Sequence, residues 1–408
     1  MQTETNKVAH VHDLLDSQVL ANPYPVYHRL RAEDPVHWNE NWDCWILTRY
    51  TDVLESMKDS RLSNARIIAY LDQLPETVRQ SMHPLKRHIS TWLAFKDPPD
   101  HTRLRQLVSN AFSSRVVEAM RPRIEAIVSK LLQAVRCNGR MDVIHDFAHP
   151  LPSIVITEML GVPPEGRDQC KKWSDDIVAF LGSGRARPDR SERAQQSVHS
   201  LKAYMQGIVT ERRKNPKEDL VTALIDAEEQ GAKFSEEELV GNCISLLIAG
   251  HETTTNLIGN GLLALLQNPA QLQKLKENPA LIETAVEELL RYDSPLQRNW
   301  RMATEDLVIG GRQIREGQIV LQLLSAANRD PAQFPDPDRL DITRRPNRHV
   351  AFGYGIHFCL GAPLARVEAQ IAIRTLLGRL PALRLTGEQL EWQENIAVRA
   401  LKSLPVEF

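Results

Sequence analysis

The chain is short of paired cysteines, of charge of one sign and of uninterrupted apolar runs, and each shortage excludes something. Five cysteines stand among 408 residues: Cys44, Cys137, Cys170, Cys243 and Cys359. Odd in number, widely spaced and without a Cys-x-x-Cys pair, they form neither a disulfide framework nor a zinc site, and a reducing compartment is expected. Lysine and arginine total 50 against 52 acidic residues. That balance removes the broad cationic field of a nucleic-acid binder. The N-terminal stretch MQTETNKVAHVHDLLDSQVLANPYPVY lacks the continuous apolar segment of a signal peptide or anchor. The most apolar long segment, Cys243 to Leu266, is broken in its middle by His251, Glu252 and three threonines, which a bilayer-spanning helix rarely carries. A soluble cytoplasmic protein without membrane or nucleic-acid partners is expected, with a buried helix whose polar interruption needs a reason.

Apolar residues recur at three and four over Tyr24 to Ala32, Arg103 to Ala111, Val116 to Val135, Ser191 to Arg213, Glu236 to Leu266, Leu281 to Tyr292 and Pro363 to Leu380, which predicts helices. Strand-like pieces are few: CWILTRY, DLVIGGRQI with its glycine turn, GQIVLQL and SLPVEF. No repeat, low-complexity tract or Ser/Gly linker divides the chain, so a single domain over residues 1–408 is expected. LGSGRARPDR, residues 181–190, suits either a lid over a binding site or an ordinary exposed connection.

What the chain does have is a cysteine in unusual company. In AFGYGIHFCLG, residues 351–361, Cys359 lies among Gly353, Gly355 and Gly361, with Phe352 and Phe358 close in sequence. The glycines permit positive φ angles and let backbone N–H groups point at the sulfur, while the two rings can exclude water, so the stretch reads as a thiolate nest. Elsewhere Glu288 and Arg291, three apart on one helical face, can pair, and His101 and Arg105, four apart, share a helical face. Within SLLIAGHETTTNLIG, Glu252, Thr253 and Thr254 need partners in a buried helix. Back-bonding of the threonines to carbonyls is one answer, but it leaves Glu252 unexplained. Ala249 shares a face with Thr253, and Gly250 removes a side chain, which together open a niche for a small ligand.

The run Phe352-Gly353-Tyr354-Gly355-Ile356-His357-Phe358-Cys359-Leu360-Gly361 resembles the cysteine-ligand loop of cytochromes P450 at every position of FGxGxHxCxG, and APLARVE after it resembles the helix that follows the ligand. AVEELLRYDSP is similar to the family's helix K, which implies a structural Glu288–Arg291 pair. Arg339 in PDPDRLD is matched to the third member of that network, with Leu340 where Phe is frequent. DPPDHTRLR resembles helix C, whose histidine and arginine contact the haem propionates. The resemblance therefore implies a propionate role for His101 and Arg105, and likewise for Arg301 and His357. AGHETTTN resembles the oxygen-binding groove of helix I, lined by Ala249, where Thr253 and Glu252 would form the acid–alcohol pair that delivers protons to dioxygen. His251 varies in that pattern and is assigned to packing or support of its neighbours.

Taken together, the resemblance implies a triangular, mainly α fold with a small β region, and a haem b between helices I and L. Cys359 is the expected iron ligand, with Phe352, Gly353 and Gly361 around it. The implied activity is monooxygenation of a hydrophobic small molecule: one oxygen atom goes into a C–H or double bond, and the other is reduced to water. A polyketide or macrolide, a terpenoid or a fatty acid would each suit. Electrons would come ultimately from NAD(P)H through a separate ferredoxin or flavodoxin, and a monomer is expected. Phe95, Phe180, Ser245, Ile248, Ala249, Leu296 and Asn299 would line the pocket, within the loop from Ile67 to Phe95, a lid near Phe180 to Pro188, the groove helix, and Leu296 to Asn299. A haem-thiolate peroxygenase, a nitric-oxide-reductase-like enzyme and a non-catalytic helper are the alternatives. Glu252 and Thr253 argue against the first, and Cys359 against the last.

Overall fold

The structure, a computed structural model, describes residues 14–73, 76–182, 188–229 and 234–408. Helices dominate, and among the described residues the strands form a five-stranded, a three-stranded and a two-stranded sheet, with two isolated bridges besides. The mainly α reading holds. In the five-stranded sheet, Val36–Asn39, Cys44–Leu47, Ile319–Leu323, Arg298–Ala303 and Leu62–Ser63 lie in that spatial order. All neighbours are antiparallel except Cys44–Leu47 with Ile319–Leu323. DLVIGGRQI forms the expected hairpin, Leu307–Ile309 against Arg312–Ile314.

Six helices position the site: α1 (Asp100–Ala111), α2 (Pro150–Met159), α3 (Arg167–Leu181), α4 (Glu236–Gln267), α5 (Ile282–Tyr292) and α6 (Ala362–Arg379). The start of α4 is written locally. Ser235 Oγ accepts from the Glu238 N–H at 3.2 Å while Glu238 Oε2 accepts from the Ser235 N–H at 2.8 Å, a reciprocal cap. Glu236, Glu237 and Glu238 then complement the helix dipole. Beyond this turn α4 runs through the largest apolar cluster, flanked by α2, α5 and α6, and most of its residues are buried. Two smaller clusters, around Phe334 and around Tyr27, back the five-stranded sheet.

Three expectations fail locally. CWILTRY stops being a strand at Leu47, because Tyr50 opens the helix Tyr50–Lys58. Val116 to Val135 is two helices, Ser114–Ala119 and Arg121–Val135, the second started by a proline in its first turn, where a missing N–H costs nothing. The presumed loop from Ile67 to Phe95 is largely helical, as Arg66–Gln73, Glu76–Ile89 and a short turn at Leu93–Phe95. Of the expected lid, residues 183–187 lie outside the described residues.

Candidate active site

The cysteine loop is built from tight turns. Gly353 and Gly355 both sit at φ 71°, the left-handed region that a Cβ resists. The Gly353 N–H donates to the Val350 carbonyl at 2.9 Å, and the Cys359 N–H returns to the Phe352 carbonyl at 2.9 Å. Gly361 departs from expectation: its φ is −79°, and it is the N-cap of α6. Burial pushes the Cys359 thiol up; the backbone N–H of Gly361, the Arg105 guanidinium and the N–H of Ala362 pull it back down. The sulfur nest is thus the first turn of α6, an anion-favouring helix terminus, rather than the glycines preceding the cysteine. Phe352 is partly buried beneath the Arg366 guanidinium, 4.6 Å from its ring centre. Phe358, expected to keep water from the sulfur, is 39% exposed and shares the surface with Tyr354 and Ile356.

Beside this loop lies a cluster of buried and half-buried basic side chains. His101 on α1 is 2% exposed, and neither ring nitrogen has a hydrogen-bond partner. Its ring centre is 4.0 Å from that of His357. His357 is pushed down to about 3 by burial and by His101, Arg301, Arg105 and Arg66. Burial lowers Arg301 to about 10; burial and Arg301 lower Arg66 to about 9. Burial also lowers Arg105, with the Cys359 sulfur opposing. Asp97 is the carboxylate that offsets Arg301 and His101, yet its oxygens already accept from the Ser63 hydroxyl and the Asn64 N–H. Three guanidiniums, gathered with two imidazoles around one occupied carboxylate, leave an anion deficit, which desolvated charge does not tolerate without a partner. The residues present therefore fit a haem. His101, Arg105, Arg301, His357 and Arg66 would hold its two propionates, and Cys359 its iron. Arg66 escaped the sequence reading because its own stretch, RLSNARI, carries no charge pattern; only strand pairing of Leu62–Ser63 with Arg298–Ala303 sets it beside Arg301.

On α4 the polar interruption has a geometric counterpart. Ser245, Ala249, Glu252 and Thr253 keep solvent access while Leu247, Ile248 and His251 are buried. Their spacing of three and four makes one stripe along the helix that is only partly covered. Thr253 Oγ1 donates to the Ala249 carbonyl at 3.2 Å, the back-bonding expected of a helical threonine. Burial raises the Glu252 carboxyl to about 7, with His251 opposing and Asp175 assisting. Gly250 does not open the niche: a Cβ there would come within 2.7 Å of Ile156 Cγ1, so the glycine permits close packing of α2 on α4.

The Glu288–Arg291 pair is as expected, and its third member is not. Both side chains are 0% exposed and joined by two hydrogen bonds, at 2.7 and 2.8 Å. Arg344 completes the group, its Nε 3.2 Å from both Glu288 oxygens. Arg339 is 67% exposed and lies 3.6 Å from Asp341; it contributes only its carbonyl, which accepts from Arg291 and Arg344. The chain turns outward at Arg339, and five residues later it has come back over Glu288.

The expected pocket residues divide. Ser245 and Ala249 lie on the open stripe, whereas Ile248 is packed into the core. Phe95 carries the Arg66 guanidinium 5.3 Å from its ring centre and stacks on Trp92, so it borders the cationic cluster. Asn299 is two residues from Arg301 in the same strand and shares its face, while Arg298 and Trp300 turn the other way, toward Tyr27 and Trp42. Leu296 is bridged to Val398. Phe180 ends α3, partly buried against the core.

Residues 67–391 match the family model for cytochrome P450. The chain is 43% identical over 394 residues to a biotin biosynthesis cytochrome P450 of Bacillus subtilis, covering 96% of this chain and 98% of that one. It is 40% identical to the polyketide biosynthesis cytochrome P450 PksS of the same organism, covering 94% and 95%. Among solved structures, P450BioI in complex with a hexadec-9Z-enoic acid ligated acyl carrier protein superimposes with a TM-score of 0.90 at 42% identity, covering 96% of this chain and 99% of that one. The haem-thiolate fold is thereby shown. The chain belongs to the cytochrome P450 family and is a monooxygenase, of the kind that uses haem iron and dioxygen. Among the described residues, no helix is long and apolar enough to cross a membrane.

Proposed function

We propose that this enzyme, acting as a single catalytic domain, inserts one atom of dioxygen into a hydrophobic small molecule, with Cys359 as thiolate ligand and Thr253 and Glu252 as the proton-delivering pair. The observation that carries the reading is the group of three desolvated guanidiniums short of anions beside a cysteine seated on a helix N-terminus. When bound, the haem supplies activation of dioxygen and the oxidising power to break the substrate bond. The chain does the rest. Gly361 and Ala362 N–H groups temper the charge on the sulfur. The Thr253 hydroxyl, released from the Ala249 carbonyl, can hold a proton in the groove. Glu252, poised near neutrality, can take a proton from solvent and give it up again.

Names of relatives support an acyl chain or a polyketide as substrate: one is assigned to biotin biosynthesis, one to polyketide biosynthesis, and one is solved with a fatty acyl carrier protein. Electrons would reach the enzyme, a cytoplasmic one on this reading, from a separate ferredoxin or flavodoxin reduced by NAD(P)H. Tyr354 at 46%, Ile356 at 54% and Phe358 at 39% exposure give the cysteine loop an apolar outer face, with Lys58 Nζ 5.3 Å from the Tyr354 ring centre. That surface suits a docked acidic carrier. The decisive experiment is Cys359→Ser: the purified haem protein is expected to lose the thiolate absorbance signature of the reduced, carbon-monoxide-bound form, and a wild-type spectrum would refute the assignment. Thr253→Ala is expected to keep haem and substrate binding while most electrons go to peroxide, measured as product formed per NAD(P)H consumed.

A further inference from the structure

Immediately behind Glu252, on the side away from the open stripe, sits a histidine that packing alone does not explain. His251 is 3% exposed. Its Nδ1 donates to the Leu247 carbonyl one turn earlier, at 2.9 Å, so its tautomer and ring plane are fixed by its own helix. The other nitrogen, Nε2, is buried, has no hydrogen-bond partner, and faces Asp175 Oδ1 of α3 at 3.6 Å. Asp175 in turn accepts from Lys171 Nζ at 3.0 Å. The remaining neighbour is His149, just before α2, whose ring centre is 6.0 Å from that of His251. Burial, with Lys171 and His251, pushes His149 down to about 4, so it is neutral near neutral pH. Asp175 from α3, Glu252 from α4 and His149 from the turn before α2 are the titratable groups at this ring, and Lys171 of α3 acts on Asp175 and on His149.

We propose that His251 is a positioning residue for proton delivery: Asp175, reaching across from α3, fixes a charged imidazolium beside Glu252, and that charge governs when Glu252 keeps or releases its proton. Burial alone would keep the ring neutral, but Asp175, the Leu247 carbonyl and Glu252 together outweigh it and hold the ring above its ordinary range. The coupling is reciprocal, since His251 is the group that opposes the upward shift of Glu252. The arrangement ties the ionisation of the groove acid to the placement of α3, because Asp175 lies on a different helix from the histidine it holds. The inference rests on reading Glu252 as the groove acid, and it adds the pair that tunes it.

The two midpoints are read without turnover. In the haem-loaded, reduced, carbon-monoxide-bound protein, His251 is followed by NMR of labelled histidine and assigned by its loss in His251→Gln. Protonated Glu252 is followed by its infrared carbonyl band and assigned by its loss in Glu252→Gln. Asp175→Asn is expected to lower the His251 midpoint by about one pH unit or more, and Asp175→Glu to restore it. His251→Gln is expected to move loss of the Glu252 band upward by about one pH unit. A purely structural histidine would move neither midpoint. The proposal is overturned if His251 titrates alike in wild type and Asp175→Asn, or if the Glu252 band ignores His251→Gln. If instead both midpoints move but Glu252→Gln leaves coupling of electrons to product intact, the tuning pair stands and the proton-delivery reading of Glu252 falls.

Discussion

Two of the buried or half-buried charged groups in this protein balance their charge differently. Around Glu288, the Arg291 and Arg344 guanidiniums are met by a carboxylate and by the carbonyls of Asn328, Pro337 and Arg339. The cluster is complete within the chain and functions as masonry. Around His101, the cations Arg66, Arg105 and Arg301 and the ring of His357 crowd together, and burial disfavours charge on every one. A group closed upon itself stabilises the protein's own structure; a group with charge left over specifies something that comes from outside.

The sharpest way to break the first group is Arg291→Ala, which strands Glu288 with a partial complement. A loss of about 3–5 kcal/mol is expected in thermal or denaturant unfolding. Arg344→Ala should cost less because Arg291 stays in place, and Arg339→Ala should stay within about 0.5 kcal/mol because its side chain is in solvent. Equal losses for Arg339 and Arg344 would contradict the assignment. Substitutions in the second group should behave in the opposite sense. Arg301→Ala or Arg105→Ala is expected to leave the haem-free protein as stable as before, or more so, while haem is lost about tenfold to a hundredfold faster to an acceptor protein. Arg66→Met should show the same sign with a smaller change.

A separate effect belongs to Glu252, an acid that falls in neither group. Its folded carboxyl is raised from 4.5 to about 7 by burial, so the stabilising state is the protonated one. Its contribution is present in full below the unfolded value and is lost as pH rises through about 7. Glu252→Gln should remove that slope from a plot of stability against pH, and an unchanged slope would place the titration elsewhere.

How much was legible beforehand depended on whether the information was local. The turn at Gly353 and Gly355 and the pair Glu288–Arg291 each involve residues within a few positions of one another, so spacing alone reveals them. Arg344 and Arg66 were missed because each acquires its role from a partner more than 50 residues away or across a strand pairing. Gly250 was misread for the same reason: a glycine in a helix looks like room for a ligand until Ile156 is found filling it. Phe358 was placed against the sulfur by proximity in sequence, yet the turn that brings Cys359 back to Phe352 sends it outward.

The amino-acid order alone settled the chemistry available to this protein: one cysteine in a turn-rich loop, an acid and an alcohol interrupting an apolar helix, and a mainly helical chain to carry them. It could do so because short-range geometry follows from φ preferences and helical period. Which cations are left uncompensated, which arginine closes the Glu288 network and which helix reaches His251 were decided only by the tertiary structure, since charge balance and burial are properties of neighbours in space that the chain brings together from distant positions.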